Sequence, residues 1–170
     1  IKPAAEQSKS GVIGLLATPG TIRRSYTANL IREFASDITV ILHGSVELVR
    51  LAEAHAAGEP YDPAGFAAAP DPIFNVEQGA RVDTIVLACT HFPLVQAELA
   101  AAAPRPVTYI DSGGAIARQT LRVLSRQSFP NGHAELPDHR LFVTSDPAEN
   151  ARLVKVCGRF GFEAVVQVDA

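Results

Sequence analysis

The 170 residues include no methionine and no tryptophan, only two cysteines, and 6% aromatic residues. Two cysteines make no disulfide framework, and Cys89 and Cys157 lack the paired spacing of a zinc site. That usage argues for a reducing cytoplasm and for no bound metal. The five histidines are scattered, with no ligand spacing to one another or to either cysteine. Fifteen Lys and Arg stand against eighteen Asp and Glu, a net charge of −3, so no basic excess exists to hold nucleic acid by charge. No apolar run is long enough to span a bilayer, and no signal-peptide pattern opens the chain. Gly11-Val12-Ile13-Gly14 lacks the third glycine and acidic follower of a dinucleotide site, and no Gly-Lys-Ser/Thr phosphate loop occurs. No cofactor is expected. A translated protein starts with methionine, whereas this one starts Ile1-Lys2-Pro3-Ala4, so it is expected to be a piece of something longer.

With 47% hydrophobic and 19% charged residues, the chain can bury a substantial core. Gly11–Ala17 reads as a buried strand. Thr18-Pro19-Gly20-Thr21 then turns into a helix capped by Thr21 and running to about Ala35. Ile38–Leu42 is a second buried strand, followed by His43, Gly44 and a capping Ser45, and a helix that stops at Gly58. Four prolines between residues 60 and 80 allow two short helical pieces, at Ala64–Ala69 and Ile73–Gln78. The third strand, Thr84–Ala88, leads into a helix from Pro93 to about Ala102. After it come a short strand at Val107–Ile110, a turn at Asp111–Gly114 into a helix, and a polar loop at Ser128–His139. A strand at Leu141–Thr144, a helix at Pro147–Phe160 and a strand at Ala164–Val168 complete the pattern. Alternation throughout, with connections too long for hairpins, predicts an α/β fold: a parallel sheet with helices on both faces.

Cys89 follows the third strand, with Thr90 and His91 directly after it. In parallel α/β sheets ligands gather at the carboxyl ends of strands, and the N–H groups of a following helix favour thiolate over thiol. A free cysteine is otherwise a small buried hydrophobe. A hydroxyl and an imidazole beside this one favour acid–base chemistry. Cys157, at core spacing with Leu153, Val154 and Phe160, reads as packing.

The segment Ala88-Cys89-Thr90-His91-Phe92-Pro93-Leu94 resembles the second catalytic-cysteine motif of bacterial glutamate racemases, (G/A)CTH(Y/F)PL. Gly14–Tyr26, Gly44–Val49 and Asp111–Ala117 are similar to further segments of that family, in order. The resemblance implies a cofactor-independent interconversion of L- and D-glutamate, supplying D-glutamate for peptidoglycan. In that chemistry a thiolate takes the α-proton from one face and a thiol delivers one to the other. It assigns Cys89 as one acid/base cysteine, Thr90 and His91 as substrate contacts, with His91 also setting the protonation of Cys89, and Glu47 as an acidic helper that polarises the histidine or steadies the opposite charge. Thr18 and Thr21 become substrate-binding candidates, although turn and cap roles suit both. Glu47, in the first turn of its helix, also reads as a solvated acid. His43 is a lesser candidate; His55, His133 and His139 read as exposed surface.

The family's N-terminal DSGVGG-type loop and its CNT-type motif with the first cysteine do not occur here. Asp111-Ser112-Gly113 imitates the former but follows Cys89, so Asp111 is not assigned as a catalytic aspartate. By analogy residues 1–110 form most of the family's second domain, and 111–170 rejoin a first domain that is missing. The expectation is an inactive fragment whose tail exposes apolar surface and invites a homodimer. Glutamate, and an activating cell-wall precursor, are the implied small-molecule partners. Left open are another amino-acid racemase or one-cysteine decarboxylase of the superfamily, a Cys-His hydrolase, and a non-catalytic module that binds DNA gyrase. For the hydrolase, His91 stands awkwardly close in sequence to Cys89.

Overall fold

Strands that are apolar without alternation need cover on both faces, and the sheet formed here has it. In the computed structural model, which describes residues 1–127 and 139–169, the first half runs through eight elements. They are α1 (Lys2–Gln7), β1 (Val12–Ala17), α2 (Pro19–Ile22), α3 (Ser25–Phe34), β2 (Thr39–Gly44), α4 (Val46–Ala57), α5 (Gly65–Ala68) and α6 (Asp71–Phe74). Then come β3 (Thr84–Ala88), α7 (Gln96–Ala102), β4 (Thr108–Ile110), α8 (Gly113–Leu124), β5 (Arg140–Val143), α9 (Ala151–Arg159) and β6 (Ala164–Gln167). Single 3-10 turns lie at Gly79–Arg81, Phe92–Val95 and Pro147–Glu149. One sheet has the order β2-β1-β3-β4, and β5 pairs with β6 in another; every pairing is parallel. The expected α/β class is the one observed. Among the described residues no helix is long and apolar enough to cross a membrane.

The side-chain period of two divides β1 between two cores. Val12 and Leu16 join Ile85 and Leu87 of β3 against Leu48, Leu51 and Ala52 of α4, Phe66, Ile73 and Leu99. Ile13, Leu15 and Ala17 join Val86 on the other face, under Ala4 of α1 and the partly buried Ile22 and Ile110. All six residues of β1 are buried. β2, expected to be equally buried, is instead an edge strand that among the described residues pairs with β1 alone, and Leu42 is 40% exposed there.

Where the helices break, side chains explain the break. The single helix expected from Thr21 to Ala35 is two: Thr18 rather than Thr21 caps α2, with Pro19 in its first turn. Thr27 Oγ1 then donates to the Thr21 carbonyl at 2.7 Å, closing α2 before α3 proceeds. The helix expected from Pro93 begins as the 3-10 turn Phe92–Val95; Val95, at φ −121° and ψ 22°, separates it from α7. In the proline-rich stretch α5 lies inside the expected Ala64–Ala69, while α6 starts ahead of Ile73 because Pro72 occupies its first turn. The helix expected over Pro147–Phe160 is interrupted at Asn150, whose Oδ1 accepts from Leu153 N at 3.0 Å and caps α9. Of the expected Ser128–His139 loop, residues 128–138, His133 among them, lie outside the described residues; His139 is exposed. His55, expected on the surface, is half-buried, its Nδ1 3.0 Å from Tyr61 Oη and 3.6 Å from Glu98 Oε1.

Candidate active site

Ala17 of β1 is in register with Ala88 of β3. Thr18 and Cys89 are therefore the first residues beyond the carboxyl ends of two neighbouring parallel strands. The chain leaves β1 for β2 on one side and later returns as β3 on the other. A reversal of this kind opens a crevice above the sheet, where α/β proteins bind ligands. Gly44 keeps the crevice wall tight: a Cβ there would fall 2.9 Å from the Pro19 backbone, so only glycine lets α2 sit over the end of β2.

A tight turn then sets the chemistry. Phe92 N donates to the Cys89 carbonyl at 3.2 Å, and the Phe92 ring is fully buried. The turn folds His91 back until its Nδ1 is 3.7 Å from Cys89 Sγ. The approach that looked awkward two residues apart is thus made by the backbone. On the far side of the ring, Nε2 lies 3.4 Å from Glu53 Oε1 of α4. Glu53 Oε2 is 3.2 Å from Arg152 Nη1 of α9, and Arg152 Nη2 is 3.0 Å from Glu59 Oε2. A thiol, an imidazole, a carboxylate and a guanidinium follow one another from sheet to surface. A cleft of about 400 Å³ opens over the outer part of this row, lined by His91, Glu53, Arg152, Asn150, Leu94 and Leu153.

Glu47, assigned above as the histidine's acid, is not the carboxylate on His91. It sits exposed at the start of α4, with Oε2 3.4 Å from Arg50 Nη1. Glu53 is six residues further, about 240° around the helix, which turns it from solvent towards the 3-10 turn. The usable signal was the run Ala52-Glu53-Ala54, an acid flanked by small residues beside the buried positions Leu48, Leu51 and Ala52.

Thr18 and Thr21 are joined to each other, Oγ1 to Oγ1 at 3.0 Å, and Thr18 Oγ1 also accepts from Thr21 N. Thr90 is exposed at the mouth of the crevice. Thr21 also borders a larger, apolar cavity of about 460 Å³ with Arg24, Leu15, Ala88 and Asp111. His43, near the end of β2, has its imidazole pushed below its ordinary value by burial. Cys157 is buried in α9, and both cysteines are free thiols. Among the described residues no group of three or more His, Cys, Asp or Glu is arranged to hold a metal ion.

No family model matches the chain. The glutamate racemase of Brucella canis is 42% identical over 147 residues, which is 86% of this chain and 53% of that protein. That of Klebsiella pneumoniae is 41% identical over 162 residues, 95% of this chain and 56% of its own. The crystal structure of Escherichia coli glutamate racemase in complex with L-glutamate and the activator UDP-MurNAc-ala superposes with a TM-score of 0.83 at 38% identity, covering 99% of this chain and 62% of that one. The chain spans about half the length of the curated relatives it matches.

Proposed function

We propose that this chain, which corresponds in sequence and fold to the C-terminal portion of a glutamate racemase, supplies one of two acid/base halves of that enzyme's site. The observation that carries the reading is Cys89 at the switch point of a parallel sheet with an imidazole 3.7 Å from its sulfur. Inverting an amino acid at Cα requires a proton to leave one face and another to arrive on the opposite face. A free cysteine titrates near about 8.5, close enough to neutrality to do either. Cys89 serves one face, with His91 exchanging its proton and Glu53 orienting the ring; Thr90, and Thr18 across the crevice, contact the glutamate. Glu47 is left as a surface acid.

The second thiol comes from the part of the protein outside these residues, since Cys157 is buried. Residues 1–110 then form one wall of the cleft, and 111–170 return to the domain forming the other. The whole protein works in the cytoplasm without a cofactor, supplies D-glutamate for peptidoglycan, and responds to a cell-wall precursor of the kind named for the Escherichia coli enzyme.

Incubation with L-glutamate in D₂O tests this. The full-length protein is expected to put deuterium at Cα and bring optical rotation to zero. The 170-residue chain alone is expected to do neither. Absence of exchange by the full-length protein overturns the reading. A second reading is favoured by the line Sγ, Nδ1, Nε2, Oε1, which is also the order of a Cys-His-acid nucleophile. Stable acylation of Cys89 by an activated ester, with no exchange at Cα, would support that instead.

A further inference from the structure

Glu53 is 44% exposed along its side chain, and a glutamate so placed on a helix ordinarily rotates freely in water. Here α9 reaches across and both of its carboxylate oxygens have partners. Arg152 offers one nitrogen to Glu53 at 3.2 Å and the other to Glu59 at 3.0 Å, so its planar fork spans two carboxylates at once. A fork with fixed donor directions sets the orientation of what it holds, as a lysine's single ammonium does not. With Oε2 occupied by Arg152, Oε1 of Glu53 remains directed at His91 Nε2, 3.4 Å away. Two residues beyond Glu53, Arg159 Nη1 donates to the His55 carbonyl at 3.1 Å, near the open end of α4. Gly58 makes room for it: a Cβ there would lie 2.5 Å from that nitrogen. Two arginines on one helix thus bind α9 to α4, and Arg152 alone of the two touches the row that ends at the sulfur.

We propose that Arg152 is a positioning residue for Cys89 and His91, acting through Glu53 and making the placement of α9 a condition of a working site. For the reaction it serves, this rests on the racemase reading. The chain of contacts can be tested without it. Thiolate is the form of cysteine that alkylates, and a fixed imidazole beside the sulfur promotes it.

The rate of Cys89 alkylation by iodoacetamide at neutral pH is the readout, in the full chain, with buried Cys157 unreactive. Glu53→Gln and Arg152→Gln are each expected to slow it about two- to fivefold, the span of a partly exposed ion pair. The double variant should be no slower than Glu53→Gln, since the second change acts through the first. Arg152→Lys should fall between Arg152→Gln and the native rate. Arg159→Gln, which loosens the same helix without touching Glu53, should keep the native rate. An unchanged or faster rate in Arg152→Gln overturns the proposal, as do additive losses in the double variant. A loss in Arg159→Gln equal to that in Arg152→Gln also overturns it, by making α9 a general support. If Arg152→Gln does not fold, the Arg152→Lys rate decides by the same criterion. Racemisation is followed separately. Full-length protein that leaves L-glutamate unchanged, while Cys89 of the chain alkylates as expected, refutes the racemase reading and leaves the role of Arg152 standing.

Discussion

At Cys89 a sulfur, an imidazole and a carboxylate are ordered by one short turn and one helix, and removing any of them should act differently. On the racemase reading, Cys89→Ser in the full-length protein is expected to cost on the order of a thousandfold or more in racemisation, because a hydroxyl is too weak an acid to serve. Cys157→Ser should leave the turnover of folded protein nearly intact and lower stability by about 1–3 kcal/mol, since it buries a hydroxyl. Comparing turnover with urea midpoints for the two variants separates site from core. Asp83 gives a pH effect. Desolvation opposes its charge, but hydrogen bonds from Ser8 Oγ, the Ser10 and Lys9 amides and Thr84 Oγ1 outweigh this and hold the carboxyl down to about 2. A depressed folded value means that the stabilisation is fully present above the ordinary 3.8 and is lost as pH falls from there through about 2. Asp83→Asn should therefore melt lower than the native chain at pH 6, with the difference shrinking below pH 4. A constant difference down to pH 2 would rule this out. Cys89 and His91 were legible in sequence because adjacent polar residues break a buried run. Glu53 was not, because a residue's side of a helix depends on where the helix begins, and the family likeness drew attention to Glu47, an acid nearer the cap.

Elements whose caps are written in the sequence could be placed closely. Ser45 Oγ accepts from Leu48 N at 3.0 Å and starts α4; Gly58, at φ +64°, ends it. Gly58→Ala is expected to cost about 1 kcal/mol or more for the left-handed backbone alone, and further for displacing Arg159. Ser45→Ala should cost about 1 kcal/mol. Urea titration of both variants checks the order. Elements broken by tertiary partners were not legible: the Thr27 hydroxyl on the Thr21 carbonyl splits a stretch whose apolar spacing is continuous. The exposure of β2 likewise depends on strand order, which hydrophobicity along one strand does not encode.

For the molecule as a whole, the unbalanced feature is α8. Ile116 is 61% exposed and Leu121 67%, on a helix with no buried residue. Such a face invites association. Sedimentation of the 170-residue chain should show self-association that Ile116→Glu with Leu121→Glu abolishes; a compact monomer of the native chain would count against it. The parallel alternation was legible throughout, because βαβ units repeat the same pattern. The separateness of the β5–β6 pair was not legible in the strand pattern, since its strands read like the others; the resemblance alone set residues 111–170 apart from 1–110. The strand order has one more result, which concerns the ribosome. β1 is hydrogen-bonded on both edges, yet its partner β3 is made last of the three, at residues 84–88. At the usual pace of translation, several seconds separate the emergence of the two (on the order of 5–20 residues are added per second). Throughout that interval the most apolar strand of the nascent chain stands half-paired, a natural landing place for a holding chaperone.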